Sequence, residues 1–318
     1  MHKIVFILFF LSLTGINAQN NLLAENYFEQ GEYEKALTLY TQLYKKNKNF
    51  NYFKAIVASH QQLEDYKEAE KLLKERLNIK IIPQLYVELG YNYSLQENDS
   101  LATINYNKAI LFVKESEKFN YGRSIGESFE RYSLLDKAIE TYLTAMDVFP
   151  DTDYSYQLAR LYGEQGNLEK MFDSYLVLIK KKRSYQGVAQ QNFSLYISED
   201  PAEEANILLR KVLLQKLQKQ SDVLYNELLS WLFIQQKEYK KAFTQEKAIY
   251  KRMGNNDMSG IADIAYFATN DDDDENAILI VNFVIDNAST PKEKIEGYQQ
   301  LMKIKLKTAS KKEYPKIK

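Results

Sequence analysis

Along most of the chain, apolar residues recur every three or four positions, and short polar breaks interrupt the pattern at intervals of about a dozen residues. The stretch from Ala24 to Tyr40 shows the unit. Ala24 and Tyr27 fall on one helical face, Gly31 breaks the run, and a second amphipathic face resumes through Ala36 and Tyr40. This predicts two helices joined by a tight turn, with small residues where the paired backbones approach and aromatic rings filling the space beside them.

The unit returns. With Ala36 as the second-helix marker, Ala69, Ala102, Ala138, Met171, Ala205, Ala242 and Ala277 follow at spacings of 33 to 37 residues. Twelve positions before the markers stand Ala24, Val57, Gly90, Gly126, Ala159, Phe193, Ser230 and Ala265, so the crossing partner is small in most units. Val57 in the second unit, Met171 in the fifth and Phe193 in the sixth depart from the pattern. They are expected to alter local geometry and leave the architecture intact. Over residues 20–290 the pattern resembles the tetratricopeptide repeat, a helix–turn–helix of about 34 residues. The fold class read from it is all-α, a right-handed α-solenoid of about eight such repeats.

Residues 1–18 stand apart. Lys3 is followed by an uninterrupted apolar run from Ile4 to Leu13, a break at Gly15, and small Ala18 before Gln19. This is the form of a cleavable signal peptide. The run is about half the ~20 residues that a membrane-spanning helix needs, and no second long apolar stretch follows. The chain is therefore expected to be exported, periplasmic or secreted, with no membrane-spanning segment after cleavage. The repeat array is assigned to 19–290. In 291–318, Thr290-Pro-Lys-Glu293 reads as a capping box opening a helix to about Lys307. That segment is either a capping helix or the start of a further repeat.

Composition narrows the functional classes. Eleven Gly and five Pro in 318 residues suit long helices with short connections, and 42 Lys+Arg against 43 Asp+Glu give none of the basic excess of a nucleic-acid binder. There is no cysteine, so disulfides, thiolate metal sites and thiol catalysis are excluded. After signal removal His60 is the sole histidine, at the register of Tyr27 and Tyr93, where a packing role is expected. No phosphate loop, zinc-protease motif or dinucleotide fingerprint occurs, and no enzyme activity, cofactor or metal is expected. The acidic run Asp271 to Glu275 has two readings, a calcium site or the cap of a second helix. The cap is favoured because the run falls at the turn register of Gly31.

The resemblance implies that one face of the first helices lines a concave groove. Offsets from the markers put Asn21, Glu25, Lys54, Val87, Tyr91, Arg123, Glu127, Tyr156, Arg160, Glu227, Trp231 and Tyr266 on it. Chaperone-tail-binding members of the family carry a Lys, Asn and Arg clamp at such places, and this sequence lacks that set. Tyr91, Arg123, Glu127, Tyr156, Arg160, Trp231 and Tyr266 are the candidate binding residues, since Trp, Tyr and Arg dominate interface energetics. The expected role is a non-catalytic scaffold of the bacterial cell envelope holding a protein or peptide partner. Two alternatives stand beside it: a carbohydrate- or peptidoglycan-binding repeat protein, and the N-terminal repeat region of a larger sensor or enzyme.

Overall fold

The computed structural model describes residues 20–254 and 257–313, with side chains through residue 310. The signal peptide expected at 1–18 lies outside the described residues. The chain divides after Tyr154 into two compact units.

The first unit contains α1 (residues 20–29), α2 (Tyr33–Asn47), α3 (Phe50–Gln62), α4 (Tyr66–Ile79), α5 (Gln84–Ser94), α6 (Asp99–Glu115), α7 (Asn120–Arg131) and α8 (Leu135–Val148). The second contains α9 (Ser155–Glu164), α10 (Leu168–Lys181), a short 3-10 turn Arg183–Tyr185, and α11 (Gln186–Phe193). It continues through α12 (Glu204–Lys219), α13 (Val223–Gln235), α14 (Tyr239–Arg252), α15 (Ser259–Asn270), α16 (Asp274–Asn287) and α17 (Pro291–Glu313). The described residues form no strand. Every marker from Ala36 to Ala277 sits on an even-numbered helix and is buried, and every partner twelve positions earlier is buried on an odd-numbered one. The predicted register is thus the observed one, and the sixth repeat is the exception to the predicted pairing.

Close approach explains the small residues. A Cβ at Gly126 would lie 2.5 Å from the Tyr142 ring, and one at Gly90 would meet the ring of Tyr106. Four residues after the marker, the second helix carries Tyr40, Tyr106, Tyr142 or Tyr175, and three of these rings, Tyr40, Tyr106 and Tyr175, reach into the following repeat. Tyr40 faces Tyr52 at 6.3 Å between centroids, Tyr106 meets Phe129 edge-on at 5.5 Å, and Tyr175 meets Phe193 at 5.7 Å. Such ring pairs stabilise by roughly 0.5–1.5 kcal/mol beyond the area they bury.

The turns share one geometry. Gly31, Glu64, Glu97, Ser133, Gly166, Lys237 and Asp272, each five residues before a marker, have φ between 54° and 79°. At each, the next residue's N–H donates to the carbonyl five positions back at 2.8–3.0 Å, as in Glu32 to Tyr27 and Asn98 to Tyr93. The left-handed residue's own N–H donates three positions back, so the two bonds close a Schellman motif.

The sixth repeat differs. Its turn has no left-handed residue, a longer connection joins α11 to α12, and α11 packs on α10 in place of pairing with α12. Phe193 is the cause: a ring at the crossing position keeps the helices apart and instead fits against Phe172 and Tyr175 of the preceding repeat. Val57 loosens the second repeat without changing its turn, and Met171 leaves its pair closely packed. The predicted capping box is present. Glu293 N–H donates to Thr290 Oγ1 at 3.2 Å, and Thr290 N–H donates to Glu293 Oε2 at 3.1 Å. The helix it opens reaches Glu313 and does not stop near Lys307, because 308–313 contain neither Gly nor Pro.

Candidate functional site

In the first unit, Arg123 and Glu127 lie one turn apart on α7, exposed, with Arg123 Nε donating to Glu127 Oε1 at 2.9 Å. Tyr91 on α5 is half-buried, because its ring stacks on Tyr132 with centroids 3.8 Å apart. Val87 is fully buried and belongs to the core, contrary to its expected place in the groove. A residue with helical neighbours on both sides cannot also face a ligand.

Beside Tyr91 lies a polar cluster that the marker offsets missed. Glu88 on α5 is 3% exposed. It accepts from Arg131 Nη1 at 2.7 Å and from the Tyr132 hydroxyl. Burial and the Glu88 carboxylate push the Tyr132 hydroxyl well above the usual phenol range. Burial works against the charge on Arg131, and Glu88 outweighs it, so the guanidinium is held charged. Lys54 on α3 is lowered, first by burial and then by the positive charge of Arg131. An acidic residue inside the apolar run Leu85-Tyr-Val-Glu-Leu89 was the available signal, but its partners stand 43 and 44 residues away.

In the second unit, Tyr156 and Arg160 lie one turn apart on α9 and are exposed. Tyr156 approaches Tyr185 at 6.1 Å, and Arg160 Nη1 donates to Glu164 Oε1 at 2.5 Å. Trp231 on α13 is half-buried with its indole 6.3 Å from the Phe193 ring, so it packs in part on the preceding repeat. Glu227, one turn before it, is held by Arg183. Tyr266 on α15 is 60% exposed.

Other sequence candidates are resolved by their contacts. His60 Nδ1 lies 3.1 Å from Asp65 Oδ2, an acid partner that periodicity did not reveal. The neighbouring Ser59 hydroxyl donates to the Ala55 carbonyl. The acidic run caps and ties helices: Asp273 accepts from Asn276 N–H, Asp271 from Tyr239, Asp272 pairs with Lys307, and Asp274 accepts from Thr308. Among the described residues no group of three or more His, Asp or Glu side chains is arranged to hold a metal ion. Nor is any described helix long and apolar enough to cross a membrane.

No family model matches the sequence, and no curated protein does. Solved structures that resemble the chain include a tetratricopeptide-repeat protein of Thermus thermophilus, 16% identical, covering 56% of this chain and 97% of that one with a TM-score of 0.33. The C-terminal part of a tetratricopeptide-repeat protein of Cytophaga hutchinsonii is 16% identical over 86% of this chain and 98% of that one, TM-score 0.31. A tetratricopeptide-repeat protein of Parabacteroides merdae is 11% identical over 90% and 98%, TM-score 0.28. The repeat type follows from this chain's own geometry: paired helices at a 33–37-residue period, small residues at each crossing and a shared turn. The repeats are of tetratricopeptide type. Within each unit, tetratricopeptide packing positions hold the buried rings of Tyr93, Tyr106, Tyr142, Tyr162 and Tyr175.

Proposed function

We propose that the chain is a non-catalytic scaffold that holds a peptide segment or protein surface on the face of its first helices, in the bacterial cell envelope. One observation carries this reading. At the groove positions Arg123, Glu127, Tyr156, Arg160 and Tyr266 are exposed, while the aromatic rings of the packing positions are buried. Side chains of interface-forming type are therefore left facing solvent where the fold does not need them. The same burial weakens the carbohydrate alternative, since the rings of Tyr93, Tyr106, Tyr142, Tyr162 and Tyr175 are taken up between helices. The envelope location rests on the signal-like residues 1–18.

The test is affinity capture from envelope extract, comparing the parent with a Tyr156→Ala/Arg160→Ala variant of unchanged helical content. A protein retained by the parent and lost by the variant supports the reading. Retention of glycan fragments, or a protein bound equally by both, counts against it. Sequencing the N-terminus of the secreted chain should give Gln19 first; an intact Met1 would remove the envelope assignment.

A further inference from the structure

The last helix, α17, carries an apolar seam on its outward face. Ile295, Tyr298, Met302 and Leu306 are 57%, 53%, 65% and 65% exposed. At 100° per residue they fall within about 80° of the helix surface and extend about 17 Å. The helix cannot turn this seam inward, because its opposite face is fixed. Gly297 sits against Ile285, where a Cβ would lie 2.6 Å from Cγ1, and Ile304 is fully buried. Lys307 pairs with Asp272 at 2.7 Å, and Thr308 Oγ1 donates to Asp274 at 2.8 Å.

Lysines bracket the seam. Lys294 and Lys305 lie along one edge, Lys292 and Lys303 along the other, all exposed. Lys292 approaches Glu296 at 3.9 Å, and no described carboxylate lies within ion-pair distance of Lys294, Lys303 or Lys305. A helix face that meets only water is expected to be polar. A membrane-surface helix presents a broad apolar face, whereas a narrow seam with charged flanks is the geometry by which one helix receives another. A second copy of α17 would bring lysines against lysines at the flanks, which disfavours self-pairing.

We propose that the outward face of α17 docks an amphipathic helix of a partner protein, one whose narrow apolar seam is flanked by Asp and Glu. This surface is separate from the first-helix face described under the proposed function. The probe is a synthetic three-heptad helix of ~21 residues with Leu at the seam and Glu at both flanks, set against its counterpart with Lys flanks. Fluorescence anisotropy with the full chain should show that the Glu peptide binds, the Lys peptide does not, and affinity falls as salt rises. Met302→Glu should weaken binding at least about tenfold. Lys303→Glu/Lys305→Glu should do the same and gain affinity for the Lys peptide. That second variant alters only surface charges, so it carries the test even if Met302→Glu disturbs the helix. Tyr156→Ala/Arg160→Ala should leave peptide binding unchanged, which keeps this surface distinguishable from the groove. The proposal is overturned if the two peptides bind alike or not at all. It is equally overturned if vesicles containing phosphatidylglycerol bind through the seam, or if light scattering shows a dimer that Met302→Glu splits.

Discussion

At the position four residues after the marker, where Tyr40, Tyr106 and Tyr175 bridge repeats, the seventh repeat carries Glu246. Its carboxyl abuts Gly260 at the start of α15. Burial pushes its pKa up and outweighs the opposing effect of the Ser230 hydroxyl, and the nearby acids Glu227, Asp263 and Asp257 add to the rise. The crossing partner is Ser230, and Asn226, Gln245 and Arg252 extend a polar seam between α13 and α14: Asn226 Nδ2 donates to Gln245 Oε1 at 2.8 Å and Arg252 Nη1 donates to Asn226 Oδ1 at 2.6 Å. A carboxyl whose folded pKa is raised binds its proton more tightly in the native state than in the unfolded chain. Stability is therefore lost as pH climbs through the unfolded value, about 4.3, towards the raised one. Glu246→Gln removes the ionised form, so at neutral pH it should raise Tm, by about 2–4 °C for each kcal/mol gained. The advantage should shrink as pH falls through about 4.3 and vanish about one unit below it, where both side chains are neutral in both states. Thermal melts of the two proteins from pH 3.5 to 8 check this. A variant no more stable than the parent at pH 8 would show that the carboxylate is compensated.

At the scale of the element, the turn decides how two helices meet. Two of the seven left-handed turn residues are Gly31 and Gly166; Glu64, Glu97, Ser133, Lys237 and Asp272 adopt the same conformation with a side chain attached. A Cβ at Gly31 or Gly166 would meet nothing within 4 Å, so any penalty there is one of backbone conformation alone. Gly31→Ala and Gly166→Ala should each cost about 1 kcal/mol, while Glu64→Gly and Ser133→Gly should be neutral or stabilise by up to about 1 kcal/mol. Urea midpoints at constant slope measure both series, and a uniform loss on introducing glycine would contradict the reading. These turns also show what the sequence made legible. Helix pairing was readable because size alternates at fixed register, with Gly126 against Tyr142 as the clearest case. The five turns without glycine were not, since the Schellman hydrogen bonds hold them whatever the side chain. The cluster of Glu88, Arg131 and Tyr132 was hidden for another reason: periodicity places residues on a face and does not say which faces of separate repeats touch. Phe193 was flagged as irregular, but only the structure showed that α11 leaves its own partner for α10.

For the whole molecule, repeats touch chiefly their neighbours, so stability behaves as a sum of repeat and interface contributions and need not be lost all at once. The sixth repeat is the point where this matters. Phe193 is fully buried and is shared by Phe172, Tyr175 and Trp231, while α11 lacks the close pairing that the other first helices have with their second helices. Phe193→Ala removes the group that ties α10 to α13 and should cost about 3–5 kcal/mol. In a chain of nearest-neighbour contacts that loss spreads over the adjoining repeats and fades beyond them. Hydrogen exchange followed by mass spectrometry should therefore show protection falling from α10 through α13 in the variant, with the amides of α2 to α5 exchanging at the parental rate. Equal loss along the entire chain would mean that the repeats unfold as one cooperative block. In that case the exposed residues of the first-helix face would be ordered or lost together, and a partner bound anywhere on the chain would stabilise all of it. Confined loss means the opposite: a partner docked on α9 or α13 would protect its own repeats, and its footprint could be read directly from the amides it slows.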